Sequence, residues 1–186
     1  NKKVRQAIVH GINVDELIQE ELDGNGYPLS GPNYPQAFGV DPNLKPIPYD
    51  PEKSKTLLKE AGYPDGVKVK LEVPDGRFTQ DKEICIRIRE QLKKVNIDVE
   101  LDIQPWPQFI ARFRDHLYDQ MYYVGWGNTM FDADDVFRNA MTVPSPWNPT
   151  SYHNDKMHEL AHEASQTLDQ EKRRKLYYEA ALLFRD

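Results

Sequence analysis

Between residues 67 and 126 the apolar period switches repeatedly, and those switches restrict the fold more than any other feature of the sequence. Val67, Val69, Leu71 and Val73 alternate with Lys68, Lys70 and Glu72, the period of two that a half-buried strand requires. Ile84, Ile88, Leu92 and Val95 then recur at near-helical spacing, and Ile97, Val99, Leu101 and Ile103 alternate again. Residues 106–117 place Phe109, Ile110 and Phe113 on one helical face, and 121–126 is a continuous apolar run. Such a run marks a strand buried on both faces, so 121–126 is expected to be the most buried strand. The order strand–helix–strand–helix–strand, with crossovers long enough for parallel pairing, predicts an α/β core unit over 67–126 with right-handed connections.

The flanks are read from their punctuation. Residues 3–24 suit two short helices, the second capped by Asn13 with Glu16 three residues on, and Gly24 where it would stop. A proline-dense loop follows over 25–49. Asp50 and Pro51 open a helix that Gly62 and Pro64 close. Beyond the core unit come a short helix near 134–141, a second proline-rich loop with Pro144, Pro146 and Pro149, and two amphipathic helices over 154–168 and 170–185. Met157, Leu160, Ala161, Ala164 and Leu168 form the apolar stripe of the first, and Asp169 caps the second.

Composition narrows the function classes. The 186 residues suit a single domain spanning 1–186. A net charge of −6 without a long basic stretch argues against nucleic acid as a partner. No apolar run is long enough to span a membrane. Cys85 is the one cysteine, which excludes an internal disulfide and a cysteine-clustered metal site, and no cofactor is expected. Its place mid-helix beside Ile88 and Leu92 predicts a buried, inert thiol. The chain opens at Asn1 and closes within a helical pattern, so it is expected to be a piece of a longer protein.

Ligands of open α/β sheets bind beyond the carboxyl ends of the strands. Those ends are expected at 74–79, 104–107 and 125–132, loops that carry Arg77, Phe78, Trp106, Trp126, Asn128, Thr129 and Asp132. Aromatic rings supply contact area and arginine a fork for a carboxylate, a set suited to a small polar solute. The competing structural readings place Trp106 under its own helix and make Asp132 or Asp134 a helix cap.

One enzyme motif competes. His158-Glu159-Leu160-Ala161-His162 is a literal H-E-x-x-H, the zinc-hydrolase arrangement of two imidazoles and a general base. Both histidines, however, lie about 100–140° from the middle of the apolar stripe, toward solvent. Lys156 and Glu163 add flanking charge, and nothing orients a third ligand. A metal site is therefore not expected there. Asp132, Asp134 and Asp135 lack calcium-loop spacing, and Gly125-Trp126-Gly127 lacks the glycine spacing of a phosphate loop.

A run of short motifs in register carries a family resemblance. Val4-Arg5-Gln6-Ala7-Ile8 leads to Ile12-Asn13-Val14-Asp15; Tyr49-Asp50-Pro51-Glu52-Lys53 leads to Leu57-Leu58-Lys59-Glu60-Ala61-Gly62-Tyr63-Pro64-Asp65-Gly66. Gly76-Arg77-Phe78, Asn96-Ile97-Asp98-Val99, Gly125-Trp126-Gly127 and the segment from Asn154-Asp155 to Glu171-Lys172-Arg173 follow in the same order. Over nearly the whole chain the sequence resembles the second lobe of bacterial extracellular solute-binding proteins of family five, the dipeptide- and oligopeptide-binding components of ABC importers. The resemblance implies most of one lobe of a two-lobed receptor, periplasmic or lipid-anchored outside the cell, without catalysis. It implies a small solute held in the cleft and an ABC permease in the membrane as partner. It also gives the H-E-L-A-H segment an ordinary identity as a late amphipathic helix.

In peptide-binding relatives an aspartate shortly after the Gly-Trp pair receives the peptide amino terminus. Here Thr129 occupies the nearest position and Asp132 lies further on, so the acid is missing or displaced. Arg77 falls near a position from which some relatives hold a carboxylate. The resemblance leaves the solute open among peptides, glutathione, opines, nickel chelates and sugars. A lobe used for sensing or chaperone contacts is a third reading, because fold does not set function. The expected solute contacts are Arg77, Phe78, Trp126, Asn128 and Thr129, with Asp132 as an electrostatic substitute for the absent acid.

Overall fold

Parallel pairing joins the three segments that alternate or run apolar in the sequence. The computed structural model describes residues 1–118, 120–141, 145–149 and 152–185. They form two compact units, each with its own core: residues 1–28, 47–111 and 120–125 in the first, and 29–46, 112–119 and 126–186 in the second.

In the first unit β1 (Val67–Asp75) pairs in parallel with β2 (Ile97–Pro105), Val67 opposite Ile97 through Asp75 opposite Pro105. On its other side β1 pairs in parallel with β3 (Met121–Tyr122), giving the order β2-β1-β3. Helices α1 (Lys2–His10), α2 (Val14–Glu21), α3 (Pro51–Glu60) and α4 (Asp81–Lys93) complete it, with α4 packed on β1 and β2. The expected caps are present. The Asn13 side chain accepts from Glu16 N–H, and Asp50 accepts from Lys53 N–H ahead of Pro51.

The alternation of β1 sorts its side chains. Leu71 and Val73 join Ala7, Leu58, Cys85, Leu92, Val95, Ile97 and Val99 in the core. The opposite face carries a charge ladder: Lys68 with Glu100 at 3.1 Å, and Lys70 with Glu72 at 2.9 Å and Asp102 at 2.6 Å. Gln104 Nε2 also donates to Glu72 Oε2 at 2.6 Å. The hydrogen bonds from Lys70 to Asp102 and Glu72 push its ammonium up to about 12.

Two expectations need correction. The run 121–126 is not the most buried strand: only Met121 and Tyr122 are strand, both half-buried and at the sheet edge, and the buried strand is the central β1. After Tyr123 N–H donates to Glu72 at 2.9 Å, the chain leaves the sheet, and Tyr123 instead meets Phe78 edge-on at 6.2 Å. Met121 and Tyr123 still pack against the core of the first unit, and Tyr123 adds the contact with Phe78. Leu168 is the other correction. It is 98% exposed, because its helix stops at Gln166 and Thr167 turns extended, which breaks the helical period.

The second unit is built on α6 (Ala133–Asn139), α7 (Asp155–Gln166) and α8 (Gln170–Arg185). Met157, Leu160, Ala161 and Ala164 of α7 face Leu176, Tyr177, Ala180 and Ala181 of α8, and Phe137 stacks on Tyr177 at 5.9 Å and 8°. Asp169 caps α8 as expected, accepting from Lys172 N–H at 2.9 Å. The proline-dense loop is tied in where Phe38 exchanges backbone hydrogen bonds with Phe131 and Ala133. Helix α5 (Trp106–Arg114) starts in the first unit and ends in the second. Pro144, expected in the second proline-rich loop, lies outside the described residues.

Candidate functional site

In the first unit, the loop after β1 carries Arg77 and Phe78, and a buried carboxylate holds it in shape. Asp81, 3% exposed at the start of α4, accepts Arg77 N–H at 2.9 Å and Phe78 N–H at 3.0 Å through one oxygen. Its other oxygen accepts Lys82 N–H at 3.0 Å. This clamp leaves the Arg77 side chain exposed, with its guanidinium carbon 5.2 Å from the Trp106 ring and 5.6 Å from the Phe78 ring. Phe78 meets Trp106 edge-on at 5.8 Å, and Trp106 stacks on Phe109 of its own helix at 5.8 Å and 19°. Trp106 thus packs as its structural reading held, and also carries an arginine. Among the described residues no carboxylate pairs with Arg77, so its planar fork of N–H donors remains open.

Burial alone would raise the Asp81 carboxyl, but the N–H groups of Phe78, Arg77, Gly76 and Lys82 outweigh it and hold the group below the usual carboxylate range. A lowered folded-state value stabilises the fold above the unfolded-state value, and that stabilisation is lost as pH falls through the folded one. Asp81→Asn is therefore expected to cost about 1–2 kcal/mol at neutral pH. It should also flatten the fall in stability with acid below about pH 4. Urea unfolding at pH 7 and pH 3 measures both; an unchanged acid slope would count against the clamp.

In the second unit, the other expected site residues cluster on the loop before α6. Asn128, 3% exposed, donates to Asn33 Oδ1 and to the Asp132 carbonyl, each at 2.8 Å, and accepts Asp132 N–H at 3.3 Å. It therefore braces the loop. Asp132 caps α6 by accepting Asp134 N–H at 3.0 Å, and both its oxygens bind Arg173, at 2.7 and 2.8 Å. The Arg173 guanidinium lies over Phe38 at 4.6 Å and Tyr177 at 5.1 Å. Trp126 donates from Nε1 to Asp135 at 3.2 Å and meets Trp147 edge-on at 5.7 Å. Thr129 is exposed, next to Met130 and Phe131 at 77% and 56% exposure.

Arg77 and Phe78 thus meet each other and Trp106, while Trp126, Asn128 and Asp132 share one braced loop. Sequence reasoning missed Asp81, Asn33, Trp147, Asp135 and Arg173. An acid in the first turn of α4 was a usable signal for Asp81; the partners of Asp132 and Asn128 lie 41 and 95 residues away and left none.

The H-E-x-x-H side chains are engaged elsewhere. His158 Nε2 is 2.6 Å from the Met141 carbonyl, His162 contacts Gln166 at 3.2 Å, and Glu159 pairs with Lys156 at 3.6 Å. Among the described residues no three His, Cys, Asp or Glu side chains converge as metal ligands. Cys85 is fully buried, and that burial, with the nearby Asp81 charge, pushes its thiol up to about 12.

Residues 1–148 match the family model described as bacterial extracellular solute-binding proteins, family 5 Middle. The glutathione-binding protein GsiB of Pectobacterium atrosepticum is 30% identical over 188 residues, covering 97% of this chain and 36% of that protein. GsiB of Escherichia coli K12 is 29% identical over 185 residues, covering 95% and 36%. The chain therefore spans little more than a third of the length of these curated relatives. Among solved structures, the ABC transporter-associated periplasmic binding protein DppA of Helicobacter pylori, in complex with the peptide STSA, superposes with a TM-score of 0.89 at 30% identity. It is covered over 36% of its length by the whole of this chain. A dipeptide-binding protein of Pseudoalteromonas sp. SM9913, in complex with Met-Leu, gives 0.90 at 27% identity, with 100% and 38% covered. These relatives are binding proteins, not enzymes, and none supports the hydrolase alternative.

Proposed function

Because the chain belongs to the bacterial extracellular solute-binding proteins of family 5, we propose that it is most of one lobe of the solute receptor of an ABC importer. The full-length protein captures a small peptide or peptide-like solute outside the cytoplasm, in the periplasm or tethered by lipid, and delivers it to a membrane permease. Lobe closure around the solute would create the state the permease distinguishes.

The observation that carries this reading is the Arg77 mount. An exposed guanidinium with no carboxylate partner among the described residues rests on two aromatic rings, on a loop locked by Asp81, at the carboxyl end of a parallel strand. Such a group is pre-organised for an acidic group on a solute, because little freedom remains to be lost on binding. Arg77, Phe78, Trp126 and Thr129 provide the solute contacts. Asn128 and Asp132 hold the Trp126 loop, the charge of Asp132 being matched by Arg173.

In the full-length protein, Arg77→Ala and Trp126→Ala are each expected to weaken solute binding by about 1–3 kcal/mol, the scale of a lost charged hydrogen bond or a buried aromatic contact. Titration calorimetry with the transported solute is the measurement. Unchanged affinity in both variants would remove these residues from the site.

A further inference from the structure

Arg114 ends α5 with its side chain exposed, and its guanidinium carbon sits 5.0 Å from the centre of the Trp147 ring. Trp147 is held in turn: it meets Trp126 edge-on at 5.7 Å, lies against the buried Phe113 at 6.2 Å, and donates its backbone N–H to Ser145 Oγ at 3.1 Å. Stacking occupies the face of a guanidinium and leaves the N–H donors around its edge available. Among the described residues no carboxylate pairs with Arg114. The second unit therefore repeats, around Trp126, the device that the first unit builds around Trp106: an unpaired arginine mounted on a fixed aromatic ring.

The three acids at the start of α6 are all engaged. Asp132 holds Arg173 with both oxygens. Asp134 accepts from Tyr177 Oη at 3.0 Å and pairs with Arg138 through its other oxygen. Asp135 accepts Trp126 Nε1 at 3.2 Å and Asn139 Nδ2 at 2.8 Å. All six carboxylate oxygens carry a donor of the protein itself, so none is left open to receive an ammonium group without breaking a bond of the fold. With a net charge of −6 the chain exerts no general attraction on anions, so capture of one must come from local forks of this kind.

We propose that Arg114, mounted on Trp147 against Trp126, is an anion-recognising subsite of the second unit, and that the solute class is one bearing at least one carboxylate for this subsite. The assignment rests on the solute-receptor reading and adds to it a residue and a charge sign.

The test uses the full-length protein with glutathione and glutathione diethyl ester as calorimetric probes, which differ in their two carboxylates. Glutathione is expected to bind more tightly than the ester. Arg114→Gln should weaken glutathione about 10- to 100-fold, the scale of a lost charge-assisted hydrogen bond, and leave the ester and the urea midpoint unchanged. Ester binding as tight as glutathione, or an Arg114→Gln affinity equal to wild type, overturns the subsite while leaving the receptor reading standing. Failure of both probes to bind overturns the subsite and counts against the receptor reading as well.

Discussion

Gly66→Ala is expected to destabilise the first unit by about 3–4 kcal/mol, the sum of backbone strain and overpacking at one position. Gly66 has φ +108°, and a Cβ there would lie 2.4 Å from the Asn96 carbonyl oxygen. That oxygen cannot retreat cheaply, because it accepts Val67 N–H at 3.0 Å where β1 starts beside β2. The substitution therefore sets a side chain against the contact that begins the parallel pairing. Gly76→Ala is the control. Gly76 also has a positive φ, +77°, but nothing lies within 4 Å of its added Cβ, so only the conformational cost of about 1 kcal/mol remains. Urea unfolding should move the midpoint of Gly66→Ala by about 1–2 M and that of Gly76→Ala by much less. Equal shifts would show that close approach at Gly66 is unimportant.

Asp132→Asn is expected to cost the second unit about 2–3 kcal/mol. Asparagine caps helices as well as aspartate does, so the cap on α6 should survive and the loss should come from the ion pair. The pair is bidentate, and its side chains are only 20% and 25% exposed. Removing one partner of a fully buried pair costs about 3–5 kcal/mol, and the remaining solvent contact here reduces that. The double variant Asp132→Asn with Arg173→Met should recover part of the loss, because no guanidinium is then left among Phe38 and Tyr177 without its anion. Strictly additive losses would mean that the two side chains are not coupled.

What could be read from the sequence and what could not divides by the range of the interaction. The caps Asn13, Asp50 and Asp169 were legible because a capping side chain serves a backbone N–H only three residues away. The strand alternation of β1 and β2 and the stripe Met157–Leu160–Ala161–Ala164 were legible because burial acts on one face at a time. The run 121–126 misled for the converse reason. An apolar run reads the same in a central strand and at a sheet edge, and Met121 and Tyr122 took the edge.

The candidate site divides in the same way. Arg77, Phe78 and Trp126 were expected from strand ends, since the carboxyl end of a parallel strand is a place that topology alone marks. Asn128 and Asp132 were expected as solute contacts, and their hydrogen bonds to Asn33 and Arg173, which hold the loop, left no signal in the sequence. Trp147 and Arg114 were invisible, because a cation mounted on a ring 33 residues away leaves no period and no motif.

By itself, then, the sequence determined the α/β class, the order and caps of its helices and the family, all of which rest on short-range periodicity, capping chemistry and motifs in register. Only the tertiary structure decided which charges are matched and which stand open. A carboxylate or guanidinium has the same formal charge in any sequence, and its availability to a ligand depends on what folding brings within about 3–4 Å of it.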